Sequence, residues 1–353
     1  MKITITKSIL ENMVSSLQPF VEKKDGSQII SHILISAQND ELTMRATDHE
    51  IGLSISTSEF EVVTVGQVTA NAKRLLDIIR TLKDDSVTVE TQGNDLYIKQ
   101  NRSRYKLPSF NAEEFPKFLV FDHLPKINID STKLISGFKK ILPAIDANNP
   151  KFELNGALID VKGGGVNLVS TDTKRLALYQ IGETNQEELA LIVPRKAIQE
   201  IVRLFSDNVS IFYNATYLVI QSKNQLFFTK LINGKFPDYH RIMPKEFKLS
   251  FNLPKDAMID SIRKINVLAN ELRLTFLRDK IVFESLSEEN VEGTTELEYS
   301  SESEFVIAFS SKYLLDYLAH IDTPDFTFNC NETTTPFEVK SKDFQTIIMP
   351  IAL

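Results

Sequence analysis

The chain has 353 residues, 42% of them hydrophobic, and carries a net charge of −7 with a single cysteine, Cys330. Such a composition can bury substantial cores, whereas one cysteine excludes an intrachain disulfide and a cysteine-based zinc cluster. No apolar run approaches the roughly 20 residues of a membrane span, and Met1 leads directly into an alternating strand. We therefore expect a cytoplasmic protein with no signal peptide and no membrane partner.

The first predicted element is an alternating strand, Lys2–Ile5, and the same opening returns at Lys126–Ile129 and at Lys248–Phe251. Each opening is followed by a predicted amphipathic helix, because apolar residues recur at helical spacing and share one face. The three apolar faces are Ile9, Leu10, Met13, Val14 and Leu17; Leu134, Ile135, Phe138, Ile141 and Leu142; and Met258, Ile259, Ile262 and Ile265.

A second predicted helix also occurs three times, at Ala72–Arg80, Arg195–Arg203 and Ser311–Leu318. The offset between copies, roughly 120 residues, is too long for a solenoid repeat and indicates a whole domain in triplicate. Alternating runs such as Val87–Glu90 and Leu96–Lys99 predict hairpins, so each domain reads as β-α-β-β-β twice over. We predict an α+β fold of three domains, 1–123, 124–245 and 246–353, with antiparallel sheets and two helices per domain.

Basic residues gather on the polar faces of these helices despite the negative net charge. Each helix taken alone is typical of a solvated face with internal ion pairs, since Asp77 and Glu200 lie four residues after Lys73 and Lys196. Recurrence in separate copies instead favours a surface for nucleic-acid phosphates. The candidate contacts are Lys73, Arg74, Arg80, Lys139, Lys140, Arg195, Lys196 and Arg203.

Five segments occur in the order and spacing of one known family: Ala46–Gly52, Ser170–Ala177, Val193–Lys196, Asn233–Tyr239 and Met349–Leu353. Over its whole length the chain resembles the bacterial DNA polymerase III beta subunit family, the sliding clamps. The resemblance implies a head-to-tail homodimer, a six-domain ring with helices lining the hole and sheets outside. It also implies a processivity factor that encircles double-stranded DNA, without a catalytic site of its own. The implied protein partners are the DNA polymerase III alpha subunit, the clamp loader and other proteins with a clamp-binding motif.

The resemblance assigns residues to three sites. At the ring face it implies DNA contacts by Lys23, Lys24, Lys151 and Phe152. For partner peptides it implies a pocket made of Leu154, Thr171, Thr173, Lys174, Arg175, Leu176, Pro237, Arg241, Ile242, Pro336, Ile347, Met349, Pro350, Ile351 and Leu353. Thr173, Lys174 and Ala352 depart from the residues that the family often has.

The third site is the subunit interface, for which the sequence offers two segments of opposite charge. Arg102 and Arg104 lie in a basic segment, and Glu298, Glu302 and Glu304 lie in an acidic one. Opposite charges on two different surfaces suit a heterologous contact, although charge also guards ordinary strand edges. By resemblance, Tyr105 and Leu107 pack against Val267 and Leu268 at its centre.

Two other functions are weighed against the clamp. A peptide-binding scaffold without DNA is the stronger alternative. An enzyme is the weaker one: Thr47–Glu50 has the composition of an acid–base cluster, but the five histidines lack metal-ligand spacing. Gly163–Gly165 lacks the lysine of a phosphate loop and predicts a hairpin turn instead. We predict no cofactor, no metal site and no catalytic residue.

Overall fold

The structure is a computed structural model that describes residues 1–23, 28–184, 187–286 and 292–352. Two compact units are present, unit 1 made of 1–127 with 208–231 and unit 2 made of 128–207 with 232–353. The units do not follow the three predicted domains, whose boundaries remain predictions. None of the helices in the described ranges is long and apolar enough to cross a membrane.

The α-helices form where the apolar periodicity predicts them, and the two helices of each repeat pack against each other. Each buries one face, as with Leu10, Val14 and Leu17 of the first helix. Asn71 and Asp130 begin two of them by accepting backbone N–H groups with their side chains. The described helices are α1 (Lys7–Leu17), α2 (Ala72–Thr81), α3 (Ser131–Ile141), α4 (Arg195–Leu204), α5 (Lys255–Asn266) and α6 (Ser311–Leu318).

Strands make up most of the remaining fold, and in the described ranges the strand pairs are all antiparallel. The first nine are β1 (Lys2–Thr6), β2 (His32–Ala37), β3 (Leu42–Thr47), β4 (Ile51–Thr57), β5 (Glu61–Thr64), β6 (Gly66–Asn71), β7 (Ser86–Gln92), β8 (Asp95–Gln100) and β9 (Ser103–Pro108). The next seven are β10 (Gly156–Lys162), β11 (Gly165–Thr171), β12 (Arg175–Glu183), β13 (Leu189–Pro194), β14 (Ser210–Tyr213), β15 (Tyr217–Gln221) and β16 (Gln225–Lys230). The last eight are β17 (Leu249–Pro254), β18 (Glu271–Phe276), β19 (Lys280–Leu286), β20 (Thr294–Glu298), β21 (Phe305–Ser310), β22 (Asp325–Cys330), β23 (Phe337–Ser341) and β24 (Phe344–Ile348).

Two large sheets each join strands from neighbouring repeats. Unit 1 has a seven-stranded sheet in the order β14-β15-β16-β4-β3-β2-β6, and unit 2 has an eight-stranded sheet in the order β13-β10-β11-β12-β24-β23-β22-β17. The joints are the β16–β4 and β12–β24 pairs. Smaller sheets of five strands (β5-β1-β7-β8-β9) and four strands (β20-β19-β18-β21) complete the units. The α+β prediction is confirmed, but repeat analysis did not foresee that the sheets run across repeats.

One predicted strand is wrong. The opening of the second repeat, Lys126–Ile129, forms a single bridge from Lys126 to Phe212 instead of a strand. The Ile127 N–H donates to the Ile211 carbonyl at 2.8 Å. Pairing stops there because the neighbouring strand β14 has only four residues and because Asp130 already caps α3.

Candidate functional site

The segment that suggested an acid–base cluster is a hydrogen-bonded turn between β3 and β4. The Asp48 carboxylate accepts the backbone N–H groups of Glu50 (3.0 Å) and Ile51 (2.9 Å). The Thr47 hydroxyl donates to the Ile51 carbonyl at 2.8 Å. His49 takes a positive φ of 73° at the tip. Asp48 therefore satisfies backbone donors, which gives it a structural role.

The same turn recurs between β11 and β12, 124 residues later. The Asp172 carboxylate accepts the N–H groups of Lys174 (3.0 Å) and Arg175 (2.9 Å). The Thr171 hydroxyl donates to the Arg175 carbonyl at 2.6 Å, and Thr173 has a φ of 72° at the tip. The turn directs the backbone of Lys174 toward the C-terminal segment, where its carbonyl accepts the Met349 N–H at 2.9 Å.

Arg175 was predicted in the peptide pocket, but its guanidinium is bound within the protein. Its side chain is 3% exposed and lies 3.0 Å from Asp172 and 2.8 Å from Asp316 of α6. Another N–H donates to the Pro143 carbonyl, and the guanidinium stacks on the Tyr313 ring with 4.5 Å to its centroid. Arg175 therefore connects β12 to α6 and holds the turn beside Met349 in place.

The remaining predicted pocket residues form an apolar floor with an exposed rim. Leu154, Leu176 and Ile347 lie in one buried cluster of unit 2. Beside this floor, Ile242 and Met349 keep 43% and 40% of their surface exposed. Of the other predicted residues, Thr171 is buried; Pro237, Pro336, Pro350 and Ile351 are half-buried; Thr173, Lys174 and Arg241 are exposed; and Leu353 lies outside the described residues.

Tyr239 fastens the linker that carries Pro237 and Ile242 to the sheet, which sequence reasoning missed. Its hydroxyl donates to Asp160 at 2.7 Å and accepts from the Asn167 amide at 3.1 Å. Burial, with the Asp160 bond second, raises the pKa of Tyr239 well above its usual range. Asp160 and Asn167 are cross-strand partners of one hairpin. The Gly163-Gly164 turn fixes that register. The hairpin pattern in the sequence could therefore have predicted that Asp160 and Asn167 face each other and can bind a polar side chain.

A basic cavity in unit 1 brings together four of the predicted DNA contacts. Its volume is about 720 Å³, and Lys23, Lys73, Arg74 and Arg80 line it. His32 is also in the lining, and burial together with the nearby Arg74 guanidinium lowers the pKa of His32 to about 4. His32 is therefore uncharged at neutral pH. The positive charge of the cavity comes from the four lysine and arginine side chains, which outnumber the acidic Glu22 and Asp77 in the lining.

The other predicted DNA contacts differ in exposure and in the groups that they bind. Lys139, Lys151, Lys196 and Arg203 are exposed, and so is Phe152, at 64% of its surface. The Arg203 guanidinium lies 2.7 Å from the Glu200 carboxylate. By contrast, the Lys140 ammonium donates to the His320 carbonyl (2.8 Å) and to Asp322 (3.0 Å). The Arg195 guanidinium donates to the Leu142 and Ile145 carbonyls at the end of α3. Lys24 lies outside the described residues.

The two segments of opposite charge lie at or next to strands that end a sheet: Arg104 is in β9 and Arg102 in the turn before it, while Glu298 is in β20 and Glu302 and Glu304 follow it. Strand β9 ends the five-stranded sheet, and β20 ends the four-stranded sheet. Arg102, Arg104, Glu298, Glu302 and Glu304 are exposed. At the end of α5, Val267 is 82% exposed and Leu268 is also exposed, whereas Tyr105 is half-buried and Leu107 is buried in its own repeat.

The cysteine and the glycine-rich segment, which could in principle serve catalysis, are both parts of the sheet structure. Cys330 is buried in β22, and burial raises the pKa of its thiol to about 12. Across the ranges that the structure describes, no group of three or more His, Cys, Asp or Glu side chains is arranged to hold a metal ion. Gly163 and Gly164 form the predicted hairpin turn, with φ values of 59° and 80°.

Comparison with known proteins gives a full-length match. Three family models match in succession: the N-terminal (1–119), central (128–238) and C-terminal (240–352) domains of the DNA polymerase III beta subunit. A Helicobacter pylori J99 protein named Beta sliding clamp is 37% identical over 376 residues, covering 100% of both chains. The solved Helicobacter pylori beta clamp bound to a DNA ligase peptide has a TM-score of 0.95 at 37% identity over 100% of both chains. The Bacillus subtilis DNA polymerase sliding clamp, at 21% identity, has a TM-score of 0.92 over 100% of this chain and 99% of that one.

Replacing Arg175 tests whether it acts as a structural cation. Arg175→Ala leaves Asp172 and Asp316 without their buried partner, so we expect a loss of about 3 kcal/mol in the free energy of unfolding. Arg241→Ala is the matched control, because its ion pair with Asp238 is exposed and should contribute less than about 1 kcal/mol. Chemical denaturation followed by circular dichroism measures both. Equal stability of the two variants would contradict the structural role of Arg175.

Proposed function

The chain belongs to the DNA polymerase III beta subunit family, the bacterial sliding clamps, and from this premise we propose how its own surfaces carry out a clamp's function in DNA replication. Two copies join head to tail into a ring around duplex DNA. Lysine and arginine side chains contact the phosphates, and an apolar groove on each chain binds peptides of the DNA polymerase III alpha subunit, the clamp loader and other partners. The chain thereby acts as a processivity factor.

The observation that carries this proposal is where the exposed apolar side chains lie. Of the nine large apolar residues that are exposed in the described ranges, five fall at positions predicted for DNA, peptide or subunit contact: Phe152, Ile242, Val267, Leu268 and Met349. The other four are Val63, Val65, Phe110 and Val120. Exposed apolar residues are stabilised when a partner covers them. Three separate predicted surfaces therefore carry the chemistry of contact surfaces.

Contact with DNA rests on sequence-independent charge. Lys73, Arg74 and Arg80 project from α2 beside Lys23, and Lys139, Lys196 and Arg203 add exposed cations on α3 and α4. Lysine and arginine bind phosphates without reading bases, so the protein can move along the duplex. Lys140 and Arg195 are not proposed as contacts because they are half-buried and their charged groups already bind backbone carbonyls. Arg203 remains a candidate because its ion pair with Glu200 lies at the surface, where the arginine side chain is 42% exposed.

We expect retention on DNA to depend on topology. Protein placed on nicked circular DNA by its clamp loader should remain bound in salt that removes direct binders, because a closed ring cannot dissociate sideways. Cutting the circle should release it. A protein held by about six to ten phosphate contacts alone loses affinity by a factor of roughly 10³–10⁵ between 50 and 200 mM salt, whatever the shape of the DNA.

Gel filtration of the loaded DNA before and after linearisation measures this, with a linear fragment of equal length as the control. Equal loss from circles and linear fragments would contradict the ring and favour a peptide-binding scaffold without DNA.

The proposed subunit interface uses two of the strands that end a sheet in the described ranges, β9 and β20. Arg104 and Lys106 are in β9, and Glu296 and Glu298 are in β20. Lys106 is ion-paired with Asp95 and Glu296 with Lys280, both at 2.8 Å and near the surface. Pairing of β9 with β20 of a second copy would extend both sheets and oppose unlike charges, which fixes the register. Val267 and Leu268 provide the apolar surface beside it. Leu107 already packs inside its own repeat, so Tyr105 is the better candidate for contact across the interface.

Exchanging the apolar pair should separate the subunits. Val267→Ala with Leu268→Lys removes the exposed apolar contact and introduces a charge that has no partner there, so we expect folded monomers. Light scattering should give about 40.1 kDa instead of twice that mass. The matched control is Val63→Ala with Val65→Lys, since both valines are exposed elsewhere. A dimer that persists at low micromolar concentration would remove Val267 and Leu268 from the interface.

The peptide groove is proposed between the linker with Pro237 and Ile242 and the C-terminal segment with Met349. The floor of Leu154, Leu176 and Ile347 is buried, while the rim is exposed. Methionine suits such a rim because its flexible side chain adapts to different apolar partners. The backbone of the segment is fixed by bonds from Met349 to Lys174 and from Ile351 to Ala308 (2.7 Å).

Shortening Met349 should weaken peptide binding without disturbing the fold. For Met349→Ala we expect the affinity for a Gln-x-x-Leu-Phe peptide to fall roughly thirtyfold, which corresponds to about 2 kcal/mol. Calorimetric titration measures the affinity, and light scattering checks that the dimer is intact. Val63→Ala, an exposed apolar truncation outside the groove, should bind normally. Unchanged affinity in Met349→Ala would place the peptide site elsewhere.

A further inference from the structure

The joint between the first two repeats in unit 1 has the same backbone as the joint that carries the proposed groove in unit 2. Strands β3 and β4 correspond to β11 and β12 at an offset of 124, with the same hydrogen-bonded turn between them. Strand β16 pairs with β4 as β24 pairs with β12, so Phe228 faces Gly52 where Ile347 faces Leu176. The Lys230 N–H donates to the Glu50 carbonyl at 2.8 Å, matching the bond from Met349 to Lys174.

The side chains at the two joints differ in volume. In unit 2 the floor pair is Leu176 and Ile347, with the exposed rim beside it. In unit 1 the Phe228 ring lies directly on the backbone of Gly52. A Cβ added at Gly52 would be 2.2 Å from Cε1 of that ring, so only glycine fits beneath it. A phenyl ring therefore occupies the space above β4.

The linker of unit 1 covers that ring. Phe115-Pro116 corresponds to Phe236-Pro237, which places Phe118 at the position of Tyr239. The Phe118 ring packs edge-on against Phe228, with centroids 5.3 Å apart. The Arg45 guanidinium lies 5.4 Å from the Phe118 centroid and donates to the Ser54 hydroxyl at 3.3 Å. Phe118 is thus held in place over the joint from both sides.

The rim residue is also changed. Lys230 takes the place of Met349, and its ammonium is 2.9 Å from the Glu50 carboxylate. An exposed ion pair therefore stands where the proposed groove has an adaptable apolar wall. Floor and rim both differ in the direction that closes the site to an apolar peptide. The cover position is aromatic at both joints, but Phe118 packs on the Phe228 ring, whereas the Tyr239 hydroxyl is bonded to Asp160 and Asn167.

We infer that unit 1 contains a closed counterpart of the peptide groove, which Phe118 and Phe228 fill as an internal ligand, so that each chain offers one site for an apolar peptide instead of two. The inference rests on the proposed peptide groove of unit 2. Removing the two rings opens the second site to the same class of peptide. The occupants that this chain supplies for itself are thus Phe118 of the linker and Phe228 of β16.

The test counts binding sites by calorimetry. The probe is a synthetic peptide of the type Gln-x-x-Leu-Phe with alanine at both x positions. Wild-type protein should bind one peptide per chain. Phe118→Ala with Phe228→Ile, the residue that unit 2 has there, should bind two. In a Met349→Ala background the same pair should restore binding through the new site. The matched control is Phe121→Ala, another linker phenylalanine, which packs on Phe212 with centroids 5.3 Å apart and should leave one site.

A reciprocal exchange keeps the inference testable if the opened variant does not fold. Leu176→Gly with Ile347→Phe transfers the closed arrangement to unit 2 and should lower peptide affinity at least tenfold, with the dimer intact by light scattering. One peptide per chain in a folded opened variant, or unchanged affinity in the exchanged variant, would overturn the inference. Failure of the proposed groove itself would appear differently, as no peptide binding to wild type or no effect of Met349→Ala.

Discussion

Antiparallel pairing between strands of neighbouring repeats is the constraint on which the candidate sites depend. Through the β12–β24 ladder, the end of the third repeat is hydrogen-bonded to the middle of the second. That ladder sets Leu176 against Ile347 and brings Met349 next to Lys174. Because the side-chain period of a strand is two, a slip of β24 by one residue along β12 would turn Ile347 to the opposite face from Leu176. The backbone register therefore decides whether a groove can exist at all.

The turn before β12 is held in place by a buried cation, the Arg175 guanidinium, and this stabilises the pairing of β12 with β24. Asp172 accepts two backbone N–H groups with one carboxylate oxygen and binds the Arg175 guanidinium with the other. Asp316 brings α6 into the same cluster. A buried guanidinium is costly unless all its donors have partners. Here Asp172, Asp316 and the Pro143 carbonyl each accept a hydrogen bond from the guanidinium. We therefore expect a change in α6 to shift β12, the strand that carries Leu176.

The sequence predicted the helices and hairpins well because they are local. Apolar spacing identified α1, α3 and α5, and the repeat located α2, α4 and α6. The joints between repeats could not be predicted in this way, since a ladder such as β16 with β4 unites residues about 175 apart and leaves no periodic signal. The second opening, Lys126–Ile129, repeats the first in sequence, yet its neighbour β14 is too short to pair with it.

For the candidate sites, the sequence showed which residues carry a charge. It did not show which of those charged groups are already hydrogen-bonded within the protein. Lys140, Arg195 and Arg175 read as free cations in the sequence, whereas each binds carbonyl oxygens of the protein. These acceptors are backbone oxygens whose positions depend on the folded chain, so a pattern of residue types cannot predict them. Tyr239 illustrates the opposite case, because its partners Asp160 and Asn167 face each other across a hairpin whose register the two glycines define.

Comparison of the two joints shows that the backbone determines the architecture, whereas the side chains determine whether space for a peptide remains. The same turn, the same ladder and the same closing hydrogen bond occur in units 1 and 2. One joint nevertheless carries a glycine under a phenyl ring, and the other carries leucine beside isoleucine. Interiors are packed closely enough that a single ring decides whether space remains for a partner. A triplicated domain can thus keep one architecture throughout while binding is confined to one joint, and changes in side-chain volume are sufficient to make that distinction.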